Sequence, residues 1–105
     1  VNLFNVNIGT NSLYLYPPLA NLQGYSSASF QFYVAYTTYN ADYATLTLEA
    51  STNCGTSYTT LWTKTGTALS TTSPTSTTSN WTPTAAQWRL ENVDISSLIG
   101  NGNVQ

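Results

Sequence analysis

The side chains able to do chemistry are few: Asp42, Glu49, Glu91, Asp94, Lys64, Arg89 and Cys54, with no histidine in 105 residues. Nucleophilic catalysis by serine or cysteine needs a general base beside the nucleophile, and without histidine only lysine or a carboxylate remains. Lys64 has no hydroxyl partner at a diagnostic spacing. A zinc centre would have to combine Cys54 with scattered carboxylates, because neither CxxC nor HExxH occurs. Glycoside hydrolysis asks only for a pair of carboxylates. The strand pattern, however, places Glu49 and Glu91 outward, as solvated groups paired with Lys64 and Arg89, and surface pairs of that kind contribute little. The expectation is a chain without catalytic residues.

Two further groups of residues suit binding. Asn40, Asp42 and Asn53 offer oxygens of the type calcium takes, although one carboxylate is meagre for an ion that wants about six to eight oxygens. Asn40 and Asp42 also suit a plain turn. Cys54 has nothing cationic near it in sequence and reads as a small buried or turn residue rather than a reactive thiol. The aromatic residues are the stronger candidates, since sugar rings stack on exposed Trp and Tyr faces while nearby amides bond the hydroxyls. Tyr33, Tyr39, Tyr43 and Trp81 fall on outward or loop positions and form the candidate ligand platform. Phe30, Phe32, Tyr36, Trp62 and Trp88 fall on core faces.

Strands must position these groups. Phe30, Phe32, Val34 and Tyr36 alternate with Gln31, Tyr33 and Ala35, which predicts a strand from Phe30 to Tyr39 with one core face. Asn40-Ala41-Asp42 supplies a turn. Leu46, Leu48 and Ala50 then alternate with Thr45, Thr47, Glu49 and Ser51 in a second strand. Further strands are expected at Ser12 to Tyr16, Tyr58 to Lys64 and Gln87 to Ile95. Helical signals are confined to Thr84 to Trp88 after Pro83 and to Asp94 to Leu98, with Asp94 or Ser96 as cap. Leu69 to Thr84 is low in complexity and reads as a long surface loop or poorly ordered crossover. Within it, Asn80-Trp81-Thr82 matches an N-glycosylation acceptor.

Composition agrees with strands. Thr, Ser and Asn make up about two-fifths of the chain and only 6% is charged, so solubility rests on hydroxyls and amides, and Thr suits a pleated, half-wet surface. The length suits a single β-sandwich domain over residues 1–105. With two bases and a net charge of -2 there is no electrostatic footprint for nucleic acid or an anionic membrane. No apolar run reaches the roughly 18 residues of a membrane-spanning helix. Val1 to Thr10 lacks the charged start and apolar centre of a signal peptide, implying an export signal already removed.

A resemblance sharpens this reading. Leu15-Tyr16-Pro17-Pro18-Leu19 is followed by Ala35-Tyr36, Asp42, Leu46, Leu48, Ser51-Thr52, Cys54-Gly55 and Tyr58. Trp81-Thr82-Pro83, Gln87-Trp88-Arg89 and Val93-Asp94-Ile95-Ser96-Ser97-Leu98 complete the series. From Leu13 to Gln105 the chain resembles the jelly-roll, MAM-like domain appended to secreted proteins of Bacteroidetes bacteria. That family commonly has Asp and Trp where this chain has Asn53 and Tyr58. The resemblance implies an antiparallel jelly-roll β-sandwich and a non-catalytic accessory or adhesion module, secreted or at the cell surface as type IX secretion cargo. Glycan, surface protein and adjoining domains are the partners it implies, and calcium the ion. It also implies a fragment lacking its last strands, because the family continues past the point matching Gln105. The alternatives are a structural repeat of an adhesin or fibre with no small ligand, and an ancillary domain of a secreted metalloprotease.

Overall fold

The computed structural model describes residues 11–105; the Val1 to Thr10 stretch read for an export signal lies outside them. The regular structure of the described chain is mostly strand. The strands are β1 (Ser29–Val34), β2 (Thr38–Tyr39), β3 (Thr45–Ala50), β4 (Thr59–Thr65), β5 (Ser76–Thr77) and β6 (Arg89–Asp94). One short helix, α1 (Gly66–Leu69), follows β4, and single 3-10 turns occupy Ala85–Gln87 and Ser96–Leu98. The strands pair as three two-stranded ribbons: β1 with β6 and β3 with β4, both antiparallel, and β2 with β5 in parallel. An all-β fold is therefore present, in small sheets.

Period-two alternation decides which face of each ribbon meets the interior. In β1, Phe30, Phe32 and Val34 are half-buried while Ser29, Gln31 and Tyr33 are exposed, as the sequence pattern requires. Across from them stand Val93, Glu91 and Arg89 of β6. In the other ribbon, Leu48 stands opposite Trp62 and Leu46 opposite Lys64. The inner faces of the two ribbons meet where the Phe32 ring approaches Trp62 edge-on, with centroids 5.4 Å apart, a favoured aromatic geometry. Buried apolar residues are small or aliphatic: Ala50, Leu69, Val93, Ile95 and Val104.

An ion cluster completes this interior. Lys64 Nζ reaches both oxygens of Glu91 at 2.8 Å, and Arg89 Nε donates to Glu91 Oε1 at 2.7 Å. The same guanidinium donates to the carbonyls of Ser70 and Leu69 at 2.9 and 3.0 Å. Glu91 is only 7% exposed. The expectation of outward, solvated pairs is thus corrected for Glu91: the partners are Lys64 and Arg89, but the carboxylate lies inside. Trp88, expected in the core, is 47% exposed. Both errors have one cause. Trp88 and Leu90 suggest one strand phase and Val93 and Ile95 the other, and β6 adopts the second.

Three segments differ from expectation for local reasons. The predicted Phe30 to Tyr39 strand stops at Val34 because Tyr36 bonds elsewhere: its N–H donates to Thr71 Oγ1 at 3.0 Å, and Thr71 N–H donates to its carbonyl at 2.8 Å. Ser12 to Tyr16 forms no regular strand; Pro17 and Pro18 lack the N–H groups a ladder needs, and pairing begins only at the Ala20–Val104 bridge. Leu69 to Thr84, expected as a long surface loop or poorly ordered crossover, is largely loop, but its first part is tied down. Thr38 N–H donates to the Thr75 carbonyl and Asn40 N–H to that of Thr77, while Thr72 Oγ1 donates to Thr37 Oγ1 at 2.9 Å. The turn residues behave as read, with Asn40 left-handed at φ 51° and Asp42 N–H returning to the Tyr39 carbonyl.

Burial acts to raise the Glu91 carboxyl, but the hydrogen bonds and charges of Lys64 and Arg89 outweigh it and hold the group below its usual value. Its contribution to stability is complete above the ordinary glutamate range of about 4.3 and is lost as pH falls through the depressed folded value. Glu91→Gln is expected to cost about 2 kcal/mol in urea unfolding at pH 7, and to flatten the decline in melting temperature below about pH 4 that the parent chain shows. Phe32→Ala, at a half-buried site, should cost a similar ~2 kcal/mol.

Candidate functional site

The outer face of the β1–β6 ribbon gathers the most ligand-like surface. Tyr33 stands opposite Leu90 in the register, and the two are 66% and 45% exposed. Trp88 precedes β6 with extended backbone, φ -86° and ψ 125°. Since Arg89 turns inward to Glu91, alternation sets Trp88 on the face of Leu90 and Tyr33. Trp88 is held there by the preceding 3-10 turn, where Thr84 N–H donates to Gln87 Oε1 at 2.9 Å in a capping box.

Along the same face the surface becomes polar. Gln31 faces Asn92 and Ser29 faces Asp94. A groove of about 470 Å³ opens there, lined by Ser27, Ser29, Asn92, Asp94 and Ser96. Asp94 Oδ1 accepts the Ser96 N–H at 2.9 Å. Hydrogen bonds from Ser96 hold the Asp94 carboxyl below its usual value, so it is charged at neutral pH. One flat strip thus runs from aromatic rings to hydroxyls, amides and a carboxylate.

The four expected aromatic residues do not converge. Tyr33 lies on this strip. Tyr39 and Tyr43 flank the Asn40–Asp42 turn, with Tyr43 in contact with Gly66, whose φ of +52° favours glycine at that position. Trp81 is half-buried beside a separate hollow of about 210 Å³, shared with Thr37, Thr72, Ser76, Thr77 and Gln87. Trp88 and Leu90 were missed by sequence reasoning. The signal that finds them is the phase of Val93 and Ile95, which forces the even-numbered residues of β6 outward.

The three expected calcium ligands are also separated. Asn40 and Asp42 precede β3 and Asn53 follows it, and six residues of strand span about 20 Å. Asn53 is occupied besides: its Oδ1 accepts from the Ser51 hydroxyl at 2.8 Å and the Ser57 N–H at 3.0 Å, which uses both lone pairs of an amide oxygen. Among the described residues no group of three or more His, Cys, Asp or Glu side chains is placed to hold a metal ion. Cys54 sits exposed in the turn after Ser51, at φ 58°.

No family model, curated protein or solved structure matches this chain.

Because Asn53 braces the Ser51–Ser57 turn, Asn53→Ala is expected to lower stability by about 1 kcal/mol. Adding calcium or a chelator should leave the melting temperature of the parent chain unchanged in a thermal scan.

Proposed function

We propose that this chain is a non-catalytic glycan-binding module of a secreted or cell-surface protein, built on the MAM-like jelly-roll plan. The observation that carries the reading is the outward strip of Tyr33, Leu90 and Trp88 leading into the polar groove at Asp94. Pyranose rings have apolar faces and a hydroxyl rim. A surface that offers rings at one end and amides, hydroxyls and a carboxylate at the other complements both.

The carboxylates favour binding over hydrolysis. A glycosidase needs a general acid whose pKa is raised so that it carries a proton near neutral pH. Glu91 and Asp94 are both shifted downward. Glu91 is moreover held by Lys64 and Arg89, and Glu49 bonds only weakly to Thr60 on the other ribbon, at 3.4 Å.

A structural repeat that meets neighbouring modules is the second reading, favoured by Leu13 to Leu19. Leu13, Tyr14, Leu15, Tyr16 and Leu19 are each more than half exposed, and contiguous apolar exposure marks an interaction surface.

Binding to an array of immobilised oligosaccharides, followed by calorimetry on the hits, separates the two. The glycan reading expects Tyr33→Ala and Trp88→Ala each to weaken binding at least about tenfold, with melting temperatures close to the parent because both side chains face solvent. No hit across the array, or undiminished binding by both variants, overturns it.

A further inference from the structure

Charge decides which glycans the strip can accept. The chain has two bases and four acids. Both bases terminate on Glu91, so their charge is spent on one buried carboxylate. The remaining acids, Asp42, Glu49 and Asp94, are all exposed. Any ligand approaching the described surface therefore meets carboxylates with no uncommitted lysine or arginine beside them. A uronate or sialic acid would be repelled, whereas a cation would find a partner.

Asp94 is the carboxylate placed to be that partner. It lines the groove with Ser27, Ser29, Asn92 and Ser96, and its bond from the Ser96 N–H fixes its orientation. It lies four steps along β6 from Leu90, about 13 Å on an extended strand, a length that a few linked pyranose rings cover. We propose that this face binds amine-bearing saccharides, with the ammonium of a 2-amino-2-deoxyhexose seated on Asp94 and rings farther along the same oligosaccharide stacked on Tyr33 and Trp88. The inference rests on the glycan reading and adds the ligand's charge to it. An ammonium donates up to three hydrogen bonds, which Asp94 and the surrounding serine and asparagine oxygens accept. An N-acetylated sugar carries no charge there and loses the ionic part.

Calorimetry on the full chain tests this with four tetrasaccharides at pH 6 and low salt: β-1,4-linked glucosamine, its N-acetylated counterpart, a neutral β-1,4-glucan and an oligogalacturonate. The expected order is glucosamine first, the two neutral sugars about fivefold weaker, and the uronate undetectable, with the amine preference shrinking as salt is raised. Asp94→Asn should remove the preference, while asparagine still caps the Ser96 N–H and keeps the turn. Glu49→Gln makes the same change in net charge on the other ribbon and should retain the preference. Equal binding of amine and neutral sugars, or a preference that survives Asp94→Asn or is lost equally in Glu49→Gln, overturns this inference and leaves the glycan reading standing. Failure of all four sugars to bind overturns the inference, and an empty array overturns the glycan reading with it.

Discussion

The Glu91 carboxylate is the point at which separate parts of the described structure are tied to one another. It belongs to β6, accepts from Lys64 of β4, and accepts from Arg89, whose other nitrogens bind the Leu69 and Ser70 carbonyls. Two ribbons and the start of the hydroxyl-rich segment thus meet at one side chain. A buried ion pair is a weak source of net stability, because desolvation offsets much of the attraction, but removing one partner is costly. Its geometric effect is different in kind. Phe32 and Trp62 tolerate sliding past one another, whereas a carboxylate with both oxygens bound at 2.8 Å tolerates little. Lys64 and Arg89 remain about one-third exposed along their side chains, so their charged ends stay partly hydrated and the desolvation cost is moderated.

Around that cluster, hydroxyls do much of the joining that aliphatic side chains do elsewhere. On the outer face of the β3–β4 ribbon, Thr45 bonds Thr65 at 2.7 Å and Thr47 bonds Thr63 at 3.2 Å, cross-strand pairs that favour the register. Among the described residues Ser51 is the most buried of those with a side chain, at 1% exposure, and accepts from the Gly55 N–H at 2.9 Å. No buried side-chain nitrogen or oxygen among the described residues lacks a partner. Low sequence complexity therefore coexists with order in Leu69 to Thr77. Each short side chain loses little rotamer freedom on fixing, and the hydroxyls of Ser70, Thr71, Thr72, Ser76 and Thr77 find a backbone or hydroxyl partner.

Local alternation was legible wherever it was unbroken. The Thr45 to Ser51 and Tyr58 to Lys64 runs each placed a strand close to its observed bounds, the Phe30 to Tyr39 run placed the start of one that ends at Val34, and Thr84 and Asp94 marked the two 3-10 turns. What the sequence did not carry was information held across distance. The β2–β5 pairing joins residues 38 apart in the chain, and nothing in Ser-Thr repeats specifies it over its alternatives. The phase of β6 was ambiguous because apolar residues occupy both parities, and an ion pair, not hydrophobicity, resolves it. That one ambiguity hid half the candidate site: with the phase reversed, Trp88 goes to the core and Glu91 to the surface, and the strip beside Tyr33 disappears.

The same phase links the interior to the binding surface. Placing Arg89, Glu91 and Val93 inward obliges Trp88, Leu90, Asn92 and Asp94 to face out, because consecutive strand residues alternate. The charge cluster therefore does two things through one strand. It commits both cations to one carboxylate, and it presents on the opposite face a row that grades from indole and phenol to amide and carboxylate. A substitution that reversed the phase of β6 would lose both together, since Glu91 would leave its partners as Trp88 left the solvent. Interior charge and exterior ligand preference are coupled here by strand geometry alone, with no conformational change required between them.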